Sequence, residues 1–154
     1  MAADGPELFA IRRAAILACA VPAMSADLAR AWADAHPPAW IHVLIRERTV
    51  LVGCRRDGQV IGWVSTIGCC VDGLYVSPPH AGRGVGRGLL RGAAQAIAAR
   101  GYAEVRLDAS VNAQRFYAGL GYEPAGPRHP EDGPTFGAQP MVKRVPVRDD
   151  GPAT

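Results

Sequence analysis

Long hydrophobic runs are absent from this chain of 154 residues, and no stretch approaches the length that a bilayer-spanning helix needs. Blocks of lysine and arginine are absent too, and a net charge of +3 is too small to argue for nucleic acid. That charge does suit a polyanionic ligand. No acidic cluster signals a polycationic one. Cysteines are few and badly spaced for staples or metals: Cys19, Cys54 and the adjacent Cys69 and Cys70 form neither C-x-x-C nor a zinc-finger pattern. Neighbouring cysteines bridge each other poorly, which predicts reduced, buried thiols in a cytosolic protein. His36, His42 and His129 lack ligand spacing, so no metal is expected. Internal repeats are also missing. What is present is an ordinary balance of 49% apolar and 20% charged residues, in a length that suits one domain with a real core.

The N-terminal segment imitates a secretion signal. Arg12 and Arg13 precede an apolar run from Ala14 to Val21, and small residues follow at Ala23 and Ala26. The run is short, however, and Asp4 and Glu7 stand before the arginines. Leu8, Ile11, Ala15 and Ala18 instead predict an amphipathic helix from about Pro6 to Ala20, ended by Pro22. Ser25 is the expected cap of a second helix, Ala26 to about Ala35, which Pro37 and Pro38 end.

From Thr49 the period changes. Val50 to Cys54 and Val60 to Thr66 are β-branched runs joined by Arg55-Arg-Asp-Gly58, a hairpin pattern. Gly68 then separates a third strand, Cys69 to Val76. Pro78 and Pro79 must end its ladder, because proline has no N–H to donate. Val85, Leu89, Ala93 and Ile97 form one apolar stripe of a helix that Gly101 ends. A strand over Glu104 to Asp108, a short helix from about Asn112 to Leu120 and a strand around Met141 to Val145 complete the order. This predicts an α/β fold with a mixed sheet and about four helices. One domain is expected over residues 1–146, with helices over 1–48, a core over 49–146 and a flexible tail over 147–154.

The chain is organised around the turn between the third strand and the long helix. Gly82, Gly84, Gly86 and Gly88 surround the helix start, with Arg83 and Arg87 between them. Residues without side chains let backbone N–H groups approach a ligand, and a helix N-terminus adds partial positive charge. The arginines add full charge. The stretch reads as a pyrophosphate cradle. It is not a P-loop, since no Lys-Ser or Lys-Thr follows, and the dinucleotide pattern G-x-G-x-x-G would need glycine at Arg87.

Arg83-x-x-Gly86-x-Gly88 resembles the [QR]-x-x-G-x-[GA] motif of the GNAT acetyltransferase superfamily. Leu74-Tyr-Val-Ser-Pro78 precedes it as that family's strand does, and Phe116-Tyr-Ala-Gly-Leu-Gly-Tyr122 resembles the family's F-Y-x-x-x-G-[FY]. The likeness runs from about Val50 to Arg144. It implies a mostly antiparallel sheet in which one parallel strand pair splays apart, with the family's first strand missing or rudimentary here. It also implies binding of acetyl-CoA, with backbone groups of Arg83, Gly84, Val85, Gly86, Arg87 and Gly88 on the diphosphate and Leu74 and Val76 along the pantetheine arm. The Val76 N–H would polarise the acetyl carbonyl.

The implied reaction is transfer of an acetyl group from a thioester to an amine. Tyr117 matches the family's proton donor to the departing sulfur, and a phenol with a reference pKa near ~10 is not far above a thiol. Asp72 is the favoured base, eleven residues before Arg83, where histone-acetylating relatives carry a glutamate. A merely solvated or arginine-paired carboxylate is the competing reading, and Asp108 is the second choice. Phe116 is expected in the core and His80 on the surface. Many members place an asparagine seven residues before the tyrosine to contact CoA. Here Ser110 occupies that position and Asn112 lies two residues later, and a hydroxyl can still make the bond.

By the same resemblance the acceptor site falls to Met24–Arg46 and Arg128–Gln139, where Trp32, Trp40 and Phe136 are candidate pocket walls, with core packing the default for each. The expected acceptor is a small-molecule primary amine. A protein N-terminus or lysine is the alternative, and a non-catalytic acyl-CoA sensor is the rival from another class. A cytoplasmic location, no nucleic-acid or membrane partner and an open question of homodimerisation complete the expectation.

Overall fold

The computed structural model describes residues 5–20, 23–132 and 136–147. Helix α1 (Gly5–Cys19) buries Leu8, Ile11, Arg12, Ala15 and Ile16, an i, i+3, i+4 stripe. The stripe differs from the expected one in that Ala18 is exposed and a cation, Arg12, lies inside it. The expected stop at Pro22 lies outside the described residues. Ser25 caps α2 (Ala26–Ala33) by accepting the Leu28 N–H at 3.1 Å.

A further helix, α3 (Trp40–Glu47), was not legible in the pattern. Pro37 and Pro38 were expected only to end α2, yet their carbonyls accept the N–H groups of Trp40 and Ile41 and so open α3. Proline suits a first turn, where its missing N–H would have no partner anyway. Ile41 and Leu44 turn inward against Leu8 and Trp63. The indole Nε1 of Trp63 donates to the Leu8 carbonyl at 2.8 Å, fixing α1 to the sheet. Left unpaired in that core, the indole N–H would cost about 1–3 kcal/mol.

The sheet has six strands in the order β1-β2-β3-β4-β6-β5, where β1 is Thr49–Cys54, β2 Val60–Ile67, β3 Cys70–Val76, β4 Glu104–Ala109, β5 Glu123–Pro124 and β6 Gln139–Arg144. Every pairing is antiparallel except β3 with β4. Between those two crosses α4 (Val85–Ala99), which buries Leu89, Leu90, Ala93 and Ile97 against Val64, Val105 and Leu107. The short α5 (Gln114–Gly119) follows β4. Among the described residues, five α-helices and a mixed, mostly antiparallel sheet make up the fold. Among the described residues no strand precedes α1, and no helix is long and apolar enough to cross a membrane.

The parallel pair is short. Only Cys70 with Arg106 and Val71 with Leu107 are in register. Immediately beyond, Ser65 of β2 faces Gly73 and Thr66 faces Val71, so Asp72 is an extra, unpaired residue in β3. A bulge of this kind bends its strand and increases the local twist. It falls at the point where β3 and β4 part. The four cysteines are unbridged as expected, but Cys19 and Cys54 are exposed rather than buried.

Candidate active site

The divergence of β3 and β4 opens a cleft of about 390 Å³. Strand geometry determines what its wall offers. Ser77 N–H donates to the Ile61 carbonyl at 2.8 Å, so Tyr75 and Gly73 also point their main-chain groups at β2. Alternation then turns the N–H and C=O groups of Leu74 and Val76 the other way, into the cleft. No strand of the described residues pairs with them there. Asp72, Ser110, Asn112 and Tyr117 line the same cleft.

The glycine turn stands at the end of this wall. Gly84 is the N-cap of α4 with φ 85° and no side-chain cap, so no side-chain group occupies the first N–H groups of the helix. A Cβ added at Gly82, Gly84 or Gly88 would meet nothing within 4 Å, whereas one at Gly86 would lie 3.4 Å from Phe116 and 3.5 Å from Val76. The space outside Gly84 and Gly88 is therefore open to a ligand and not demanded by the chain's own packing. Arg83 and Arg87 are exposed beside it. This arrangement fits a diphosphate. Phe116, expected in the core, is 39% exposed, because α5 turns Tyr117 inward instead.

Tyr117 is 8% exposed, with the rings of Phe116 and Tyr122 edge-on at 5.2 and 5.8 Å. Burial pushes its phenol well up from the ordinary value, and the neighbouring Tyr75 and Tyr122 add to this. Asp72 is engaged by Arg48, Nε to Oδ2 at 3.2 Å. Asp108, the second choice for the base, pairs with His129 Nε2 at 3.0 Å. Among the described residues no cluster of three or more His, Cys, Asp or Glu side chains suits a metal.

A family model described as an acetyltransferase (GNAT) domain matches residues 20–145. The chain belongs to the GNAT acetyltransferases. Solved structures of the family share the fold. A GCN5-related N-acetyltransferase from Rhodopseudomonas palustris is 28% identical with a TM-score of 0.87, covering 94% of this chain and 92% of that one. The PaiA N-acetyltransferase of Thermoplasma acidophilum, solved with coenzyme A, is 17% identical with a TM-score of 0.72 over 93% and 94%. An aminoglycoside 6'-N-acetyltransferase, also with coenzyme A, is 17% identical with a TM-score of 0.62 over 78% and 88%. No curated protein is a significant sequence match.

The far wall of this GNAT cleft comes from the N-terminal helices and the segment before β6. Trp32, Trp40 and Phe136 line it, although core packing was the default for each, and Trp32 and Phe136 meet at 6.2 Å. Two polar members were not anticipated. His36 stacks on Trp40 with centroids 4.2 Å apart, and burial, helped by Arg12, lowers its pKa against a weaker opposing pull from Asp72. It is therefore neutral at neutral pH. Arg12 is 2% exposed and lies over the rings of Trp40 and Tyr75, at 5.4 and 5.7 Å. Its one visible signal was a charge inside the apolar stripe of α1.

Proposed function

We propose that the protein moves an acetyl group from acetyl-CoA to the primary amine of a small molecule, using one domain over residues 1–146, in the cytoplasm. The observation that carries this reading is the run of unpaired backbone at Leu74 and Val76, which links the glycine cradle at one end to Tyr117 at the other. An amide-rich arm can add to such an edge as a strand would. Coenzyme A in two structures of the same fold supports the choice of ligand. The amides of Arg83 to Gly88 would hold its diphosphate, and Ser110 and Asn112 would contact it farther along.

Acetyl-CoA supplies a thioester when bound, and the chain's own residues do the rest. Asp72 takes the proton that the attacking amine sheds. The Val76 N–H holds the negative charge that develops on the acetyl oxygen. Tyr117 gives its proton to the departing sulfur. Burial makes the phenol a weaker acid, yet the same dry surroundings destabilise a thiolate, so the two stay matched.

The test is thiol release from acetyl-CoA over a panel of amines, with Tyr117→Phe as control and CoA binding followed by calorimetry. Turnover that falls in the variant while CoA affinity holds supports the reading. Tight CoA binding with no turnover on any amine makes the protein a sensor instead.

A further inference from the structure

Arg12 carries a buried charge that its structural partners offset only in part. Its Nη1 donates to the Ala33 carbonyl at 3.0 Å and its Nη2 to the Trp32 carbonyl at 3.2 Å, so it ties α1 to the C-terminal end of α2. A cation suits these last carbonyls of a helix, but a contact of this kind contributes only about 0.3–2 kcal/mol. Nε is buried with no partner. Among the described residues no carboxylate pairs with the guanidinium: Asp34 goes to Arg13, Asp72 to Arg48 and Asp108 to His129. Aromatic faces offset part of the cost of an isolated buried cation, but an anion offsets more. Arg12 lines the cleft on the acceptor side, and His36 beside it is uncharged at neutral pH.

We propose that Arg12 reads a carboxylate on the acceptor, so that the substrate class is an α-amino acid or a close analogue with its amine next to a carboxylate. This rests on the acetyl-transfer reading and deepens it. The polarity of the cleft suits a zwitterion, with the carboxylate on Arg12 and the amine toward Asp72, which lines the same cleft. Trp32 and Phe136 leave an aromatic surface for an apolar side chain. A guanidinium is the fitting reader, because it stays charged and each Nη keeps a second N–H beyond the one given to Ala33 or Trp32.

The probes are leucine, methionine and phenylalanine, each paired with its methyl ester. The ester holds more free amine at neutral pH, so chemistry alone favours it. We expect kcat/KM to favour the acid by at least about 30-fold, the loss typical of a buried charge pair with one partner removed. A ratio at or below one overturns the proposal. In Arg12→Met the ratio falls to near one, and an unchanged ratio overturns it. Because Arg12→Met also loosens α2, calorimetry on the CoA-loaded wild-type protein makes the same comparison without a variant. Acid binding about 30-fold tighter than ester sustains the proposal and equal binding overturns it. That binding comparison decides the matter even if no amine is acetylated, an outcome that would defeat the transfer reading alone.

Discussion

Arg48 Nε lies 3.2 Å from Asp72 Oδ2, tying the end of α3 to the bulge where the sheet opens. Both side chains are partly exposed, at 26% and 36%. Such a pair contributes roughly 0–1 kcal/mol, so Arg48→Met should leave the urea midpoint almost unchanged. Asp72→Asn is expected to spare the fold and CoA affinity while lowering kcat/KM by about a hundredfold or more, the usual loss when a positioned base is removed. Equal rates in Asp72→Asn would transfer the proton to water or to His36.

Tyr117→Phe isolates the proton donor. The ring stays in the space bounded by Phe116 and Tyr122, so packing is conserved. We expect kcat to fall about a hundredfold and the Kd for CoA to stay within about twofold. A parallel loss of CoA affinity would mean that the phenol holds the cofactor and does not serve the sulfur.

What the sequence made legible was local. The α4 stripe, the β2 run and the Gly82–Gly88 turn each depend on neighbours within a few positions, where periodicity and spacing act. The bulge at Asp72 was hidden because register exists only between strands. Helix α3 was hidden because Pro37 and Pro38 read in sequence only as a stop for α2, whereas their carbonyls open α3. The far wall of the cleft was half visible. Trp32 and Trp40 stood out as large aromatics, whereas Arg12 reaches the cleft by bonding a carbonyl 21 positions away. A cation at a core position of an amphipathic helix was the warning, and periodicity counted only the apolar members.

Gly84 and Gly88 should respond to alanine in opposite directions. Gly84 has φ 85°, where a Cβ is strained by about 1–2 kcal/mol, so Gly84→Ala destabilises. Gly88 lies within α4 with nothing within 4 Å of an added Cβ. Gly88→Ala therefore stabilises by about 0.5–1 kcal/mol through helix propensity. If the cradle holds a diphosphate, the same methyl stands where the ligand approaches, and CoA affinity drops as the melting temperature rises. A more stable variant with full affinity would move the diphosphate elsewhere.

High pH should unfold the protein through its buried phenols. Burial raises Tyr75 and Tyr117, and it pushes Tyr122 up to about 12. In the unfolded chain all three ionise near ~10. Above that pH the unfolded state binds fewer protons than the folded one, so stability falls as pH rises. The contribution is complete below about pH 10 and is lost progressively above it. Urea melts between about pH 8 and about pH 11 should show a flat region followed by a steep decline, with phenolate absorbance from these residues appearing together with unfolding. Tyr122→Phe should make that decline shallower. Tyr117 keeps its proton throughout the flat region, so any loss of activity there belongs to another group. A full complement of phenolate near pH 10 in a protein still folded would contradict the burial of these rings.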